Sequence, residues 1–193
     1  MLEAREQSRT QRQAGPARGA SARPATTLDD LARSTPRELQ ALYEAGSVPD
    51  RLDRLDGDLV GRMLAPRGVG RGIGLRAIAA IARSPGFAWA GKSFHATDTG
   101  TGTGINRVRL AGRHRLFPFR TLFGPSVVDG RPCVVLDYDD ADNPGLIRSI
   151  HDEVREVDPG LYLGPACWKR QGKAPLVLLW FALDTRGTGR ATA

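Results

Sequence analysis

The chain has few of the residues that staple small folds or hold metal ions. Its 193 residues include only two cysteines, Cys133 and Cys167, and three histidines. Two cysteines are too few for a disulfide framework, and their spacing does not match a zinc site. The histidines, His95, His114 and His151, lie far apart and form no readable ligand set. The sequence therefore predicts neither a disulfide-stapled domain nor a metal centre, and it indicates no cofactor.

Long apolar segments are also missing. No run approaches the roughly 18 to 20 apolar residues that span a bilayer, and the N-terminus lacks the hydrophobic stretch of a secretory signal. These absences predict a cytoplasmic protein without a membrane-spanning segment. Hydrophobic residues make up 40% of the chain and charged residues 25%, as in an ordinary globular domain. The abundance of Ala, Arg and Gly is typical of a GC-rich bacterial source.

The net charge of +7 is concentrated at the two ends of the chain. Five arginines and two glutamates lie in residues 1–25, and two more arginines lie in residues 186–193. Proteins that bind nucleic acid usually concentrate basic residues on a folded face, so this distribution argues against nucleic acid as a partner. We predict a disordered arginine-rich tail over residues 1–27, one domain over 28–185 and a flexible tail over 186–193.

The N-terminal part of the domain carries helix signals. Thr35, Pro36 and Glu38 have the spacing of a capping box with proline at the first helical position, which predicts a helix of about ten residues. Gly46 is expected to end that helix in the left-handed conformation. A strand is predicted over residues 57–64.

A glycine-rich stretch follows this strand. Residues 67–74 superficially look like a phosphate-binding loop but lack its Gly-Lys-Ser/Thr ending, so a plain loop is predicted. Apolar residues at helical spacing then predict a helix over residues 75–82, which Ser84-Pro85-Gly86 would end.

From residue 87 onward the pattern is typical of β-structure. Residues 97–104 are predicted to be a polar turn, and residues 105–110 alternate with the period of a strand. Pro118 indicates an edge or a bulge, and Asp129-Gly130 and Asp158-Pro159-Gly160 indicate turns. Eight or nine short strands joined by turns predict antiparallel pairing and a mainly β, lipocalin-like closed barrel with short N-terminal helices. An α+β fold, an open curved sheet around a helix, is the alternative.

Three segments resemble a known family. Trp89-Ala90-Gly91-Lys92-Ser93-Phe94, Tyr138-Asp139, and the segment from Asp152 to Asp158 stand in the order found in the bacterial GXWXG-type proteins of unknown function. The first motif of that family is altered, because Leu59 stands between Gly57 and Gly61 where a tryptophan is expected. The resemblance covers roughly residues 50–184. It implies a lipocalin-like barrel and supplies no catalytic residues.

Acidic residues crowd together around the end of the predicted strand at 133–138. Asp137, Asp139, Asp140 and Asp142 could suit a hard cation, but the run lacks the glycine and the final glutamate of a calcium loop, so no metal is predicted. If Asp139 faces the interior it needs a partner, and Arg155 is the expected one.

Aromatic residues fall almost entirely in the β half, where they can form the core or line a cavity. We predict that six of them contact an apolar ligand: Trp89, Phe94, Phe119, Tyr138, Tyr162 and Trp180. Two hypotheses stay open. The barrel either binds an apolar lipid, terpenoid or polyketide-like molecule, or it is a cofactor-free enzyme that isomerises or cyclises such a molecule. For the second hypothesis the candidate catalytic residues are Asp139, Arg155, His95 and Tyr138.

Overall fold

The computed structural model describes residues 26–64, 88–109 and 112–187. Eight antiparallel strands form a closed barrel in which each strand pairs with the next and the last pairs with the first. This confirms the predicted mainly β architecture and excludes the alternative of an open curved sheet. The strands are β1 (Gly57–Leu64), β2 (Ala88–Ala96), β3 (Thr101–Arg109), β4 (Arg113–Pro125), β5 (Pro132–Asp137), β6 (Ile150–Asp158), β7 (Leu161–Arg170) and β8 (Lys173–Asp184).

Short helices accompany the barrel: α1 (Leu28–Arg33), α2 (Pro36–Ala45), a 3₁₀ helix (Leu52–Leu55) and α3 (Gly145–Arg148). The predicted capping box at Thr35 is confirmed, because its hydroxyl accepts from the Glu38 amide while the Glu38 carboxylate accepts from the Thr35 amide. The prediction for Gly46 was wrong. Its φ is −67°, so α2 ends in extended backbone instead of a left-handed residue. None of the described helices combines the length and apolarity that crossing a bilayer requires.

Contacts among the described residues extend beyond the predicted domain bounds of 28 and 185. Thr27 caps α1 together with Asp30, and the Thr26 amide donates to Asp158 at 2.6 Å. At the other end, Arg186 bonds to Asp184 and to the Thr26 carbonyl, so it belongs to the folded part as well. The rest of the two predicted tails, the loop over 67–74 and the helix over 75–82 lie outside the described residues.

Two apolar clusters lie on opposite faces of the barrel wall. One fills the interior and includes Leu59, Phe119, Leu136, Val154 and Phe181, all at most 2% exposed. The other lies outside the barrel, under the two N-terminal helices. It contains Leu31, Leu39, Tyr43, Leu64, Leu161, Leu163, Trp180 and Ala182. The two N-terminal helices therefore cover one outer side of the barrel.

Two predicted turns and one predicted bulge are present in the structure. The two predicted turns contain Gly130 and Gly160, with φ of +73° and +74°, and Pro118 follows a bulge in β4 where Phe117 adopts a φ of 60°. The predicted turn over 97–104 is too long, because β3 already begins at Thr101. Gly104 in that strand leaves room for the Phe119 ring, which a Cβ at this position would overlap.

Candidate ligand-binding site in the barrel interior

A cavity of about 140 Å³ lies inside the barrel. Its walls are mostly apolar and aromatic, and a few polar side chains lie on one side. The lining residues are Met63, Trp89, Lys92, Asn106, Val108, Phe117, Tyr138, Ile147, Ile150, Asp152, Ala166, Leu178, Leu179 and Phe181. An apolar wall with a few placed polar groups is typical of small-molecule sites.

A bulge in β2 turns two functional side chains into the cavity. Simple alternation would place Trp89 and Lys92 on opposite faces, because they are three positions apart. The pairing of β2 with β3 shifts register between Trp89 and Gly91, so both side chains face inward. Gly91 has a φ of +127°, and a Cβ there would overlap the Leu59 carbonyl oxygen. The glycine is therefore what permits the bulge, and the bulge places Trp89 beside Lys92.

Lys92 is the centre of a buried polar cluster. Its Nζ donates to Asn106 Oδ1 at 2.8 Å, to the Tyr138 hydroxyl at 2.5 Å and to Asp152 Oδ2 at 2.9 Å. An ammonium group has three N–H donors, so these three acceptors satisfy all of them. Asn106 lies directly opposite Lys92 on β3, whereas Asp152 reaches it across the interior from β6.

The other members of the cluster bond to one another. The Tyr138 hydroxyl donates to Asp152 Oδ2 at 2.9 Å. The Asn106 amide donates to the Tyr138 hydroxyl at 3.1 Å and to the Phe117 carbonyl at 3.2 Å, while its oxygen accepts from the Trp89 indole at 3.0 Å. Asp152 Oδ1 is fully buried and has no hydrogen-bond partner among the described residues.

The surroundings of the cluster are aromatic and buried. Lys92 and Asp152 have side chains that are only 3% and 6% exposed. Burial lowers the pKa of Lys92, and the attraction of Asp152 opposes that effect. Burial, followed by the charge of Asp152, raises the pKa of Tyr138 well above its usual value, so the phenol stays protonated. Four rings lie 5.1–5.5 Å from Lys92 Nζ and favour its charged form: Trp89, Phe119, Tyr138 and Phe181.

Two of the six predicted ligand-contacting aromatics, Trp89 and Tyr138, line the cavity. Phe119 packs edge-on between Phe94 and Tyr138, with ring centroids 5.4 and 5.3 Å apart, so Phe94 and Phe119 support the cavity from behind. Tyr162 is buried in the interior cluster away from the cavity lining. That these residues contact a ligand stays a prediction.

Trp180 lies on the other face of the barrel wall. It packs against Tyr43 of α2, with ring centroids 5.6 Å apart, in the outer apolar cluster. The strand register decides this placement, since Phe181 is the neighbour that faces the interior. The structure therefore does not bring Trp180 to the cavity.

Of the four candidate catalytic residues, only Tyr138 reaches the cavity. The predicted pair of Asp139 with Arg155 is wrong. Asp139 lies after the end of β5, half exposed, and binds Arg148 at 2.7 Å. Arg155 points outward under α2 and donates two hydrogen bonds of 2.7 Å to Asp129. His95 is exposed on the outer face of the barrel.

The aspartate run binds basic side chains. Asp137 lies 2.8 Å from Arg120 and 3.7 Å from Lys169, and Asp139 binds Arg148. Within the described ranges there is no group of three or more His, Cys, Asp or Glu residues that could hold a metal ion.

Sequence reasoning missed three members of the cluster: Lys92, Asn106 and Asp152. Strand alternation gave a signal for each of them, because residues two positions apart lie on the same face of a strand. Lys92 shares its strand face with Phe94, Asn106 with Val108, and Asp152 with Val154. Charged and amide side chains are usually exposed, so the pattern alone favours the opposite facing for them. The hydrogen bonds that join these side chains form between strands that are far apart in the chain.

Comparisons with known proteins identify no family for this chain. No protein-family model matches the chain, and neither a curated protein nor a solved structure shows significant similarity to it. The resemblance to the GXWXG-type proteins stays a prediction. Its three segments supply Trp89, Lys92, Tyr138 and Asp152, which the fold brings together at one cavity.

Proposed function

We propose that the barrel binds a small apolar molecule in its interior, with the polar end of that molecule at the Lys92–Asp152 cluster. The observation that carries this proposal is the cavity itself, which combines an apolar wall with one polar side. Eight-stranded barrels can hold one small ligand in this position. A buried ion pair contributes little net stability by itself, so its place at a cavity supports a role in binding.

The volume limits the size of the ligand. A cavity of about 150 Å³ lined by aliphatic and aromatic side chains accommodates benzene in another protein. The cavity of about 140 Å³ therefore suits a molecule of about one ring. The cavity therefore accommodates a small lipid, terpenoid or polyketide, or one end of a larger molecule of these classes.

Two experiments test the proposal. The first is native mass spectrometry of the purified protein, followed by extraction of bound small molecules. The second is calorimetric titration with ring-sized hydrocarbons. Ala166 lines the cavity, so Ala166→Leu fills it and should abolish binding. Ala174→Leu is the matched control, because Ala174 is exposed on β8. Binding that is unaffected by Ala166→Leu, or absent from the wild type, contradicts the proposal.

A second function is favoured by one feature of the same site. Lys92, Tyr138 and Asp152 are three ionisable groups within hydrogen-bond distance of each other, and they face the cavity. Such a set can move protons during isomerisation or cyclisation without a cofactor, with Asp152 as base and Tyr138 as the orienting donor. Catalysis predicts that an extracted ligand is converted on incubation with fresh protein. Recovery of the unchanged ligand indicates binding alone.

A further inference from the structure

The cluster has no polar hydrogen free for a ligand. Every N–H of the Lys92 ammonium and of the Asn106 amide has an acceptor. The Tyr138 hydroxyl donates to Asp152, and the Trp89 indole donates to Asn106. The remaining side chains that line the cavity, among the residues that the structure describes, are apolar and carry no donor.

The acceptors are used just as fully, with one exception. The Asn106 oxygen accepts from Lys92 and Trp89, and the Tyr138 oxygen accepts from Lys92 and Asn106. Asp152 Oδ2 accepts from Lys92 and Tyr138. Of the acceptors in this cluster, only Asp152 Oδ1 has no partner within the described ranges, although it is buried and belongs to a side chain that lines the cavity. A buried carboxylate oxygen without a hydrogen bond is costly, so this atom favours a ligand that brings a donor.

We propose that the cavity selects a neutral, ring-sized molecule that carries a hydroxyl group, such as a phenol or a cyclic alcohol, and that this hydroxyl donates to Asp152 Oδ1. This inference rests on the proposed binding function and names the chemical class of its ligand. It makes Asp152 the residue that determines specificity.

Other polar groups fit this arrangement less well. A ketone, aldehyde or ether brings only an acceptor and meets no free donor on the described side chains that line the cavity. A carboxylate adds a negative charge beside Asp152. A ligand ammonium would compete with Lys92, whose positive charge already lies 2.9 Å from the same carboxylate. Because Lys92 and Asp152 neutralise each other, a neutral donor is the best match.

The test compares three ring-sized probes by isothermal titration calorimetry on the full-length protein. Phenol carries the hydroxyl, toluene replaces it with a methyl group, and benzaldehyde carries an acceptor without a donor. We expect phenol to bind at least about tenfold more tightly than benzaldehyde, as a hydrogen bond to a charged group allows.

Variants assign this preference to one atom. Asp152→Asn should weaken phenol binding by about tenfold or more and lower the ratio of phenol affinity to toluene affinity. The single amide oxygen is needed by the donors of Lys92 and Tyr138, so the amide nitrogen, which does not accept, takes the position of Oδ1. Thermal unfolding checks that the variant is folded. If it is not, the double variant Lys92→Met with Asp152→Leu removes both charges, and it should prefer toluene over phenol.

The outcomes separate the two proposals. A preference for phenol that is lost in either variant supports the inference. If toluene and benzaldehyde bind as tightly as phenol, the cavity binds apolar rings but does not select a hydroxyl, and only this inference is overturned. If none of the three probes binds, the proposed function is overturned together with it.

Discussion

Lys92 and Asp152 meet across the barrel interior with Nζ and Oδ2 2.9 Å apart, although 60 positions separate them in the chain. Both side chains are almost fully buried, and the strands that carry them, β2 and β6, are not neighbours in the sheet. The pair therefore bridges the barrel at the cavity. Its charges are satisfied only when the barrel is closed.

The first prediction concerns this pair. Lys92→Met and Asp152→Leu should each lower the free energy of unfolding by about 3–5 kcal/mol, because each leaves one buried charge without its partner. The double variant should be more stable than either single variant, since it leaves no charge behind. Urea denaturation of the four proteins measures this coupling. Losses that simply add in the double variant would show that the two charges do not interact.

The pair also shows which features of the structure can be predicted from the sequence. The barrel was predictable because its signals are local: alternation, turn residues such as Asp129-Gly130, and a capping box at Thr35. Each of these signals is contained within about ten consecutive residues. The contact between Lys92 and Asp152 depends on strand register and on a bulge at Gly91, so no local pattern contains it.

The wrong pairing of Asp139 with Arg155 has the same origin. Side-chain alternation fixes which residues share a face, but it does not say which face is the interior. Asp139 lies beyond the end of β5, where alternation no longer applies, and Arg155 lies one position past the inward-facing Val154. Tyr138, one of the predicted ligand contacts, is buried and lines the cavity, and its contact with a ligand stays a prediction.

The second prediction concerns the pH dependence of stability through Asp129. Two bonds from Arg155 hold the pKa of Asp129 down at about 2. The folded-state pKa lies below the unfolded value of about 3.9, so this stabilisation is present above about pH 4 and is lost as the pH falls through about 2. Asp129→Asn should lower the free energy of unfolding by about 3 kcal/mol at pH 7, because it leaves Arg155 buried without a counter-charge.

Denaturation of the wild type and of Asp129→Asn across this pH range measures the effect. The difference between them should be constant near neutrality and shrink toward the acid end. Asp139→Asn is the control, because Asp139 forms an exposed pair with Arg148 that is worth less than about 1 kcal/mol. A difference that persists unchanged at pH 2 would contradict the assignment.

The third prediction concerns close approach of two strands at Gly164. A Cβ added to Gly164 on β7 would overlap the Glu153 carbonyl oxygen of the neighbouring strand β6. Gly164→Ala should therefore destabilise the protein by about 3 kcal/mol or more, because backbone must move to admit the methyl group. Gly145→Ala serves as the control. Its Cβ meets no atom within 4 Å, so we expect a change within about 0.5 kcal/mol in the same thermal or urea unfolding experiment.

The fourth prediction concerns the two cysteines, which are free thiols with no exposed surface. Burial, followed by the charge of Glu153, raises the pKa of Cys133 to about 12, and burial likewise raises the pKa of Cys167. The thiolate is the reactive form, so neither cysteine should be alkylated by iodoacetamide in the folded protein at pH 8.

Intact mass spectrometry after alkylation gives the count of modified thiols. We expect no added group under native conditions and two in denaturant, where both thiols regain their ordinary reactivity. Ala174→Cys supplies an exposed thiol on β8 as a positive control, and it should react under native conditions. Rapid native labelling of Cys133 would mean that the packing of α2 against β5 and β6 opens readily, since Tyr43 and Glu153 share the buried environment of that thiol.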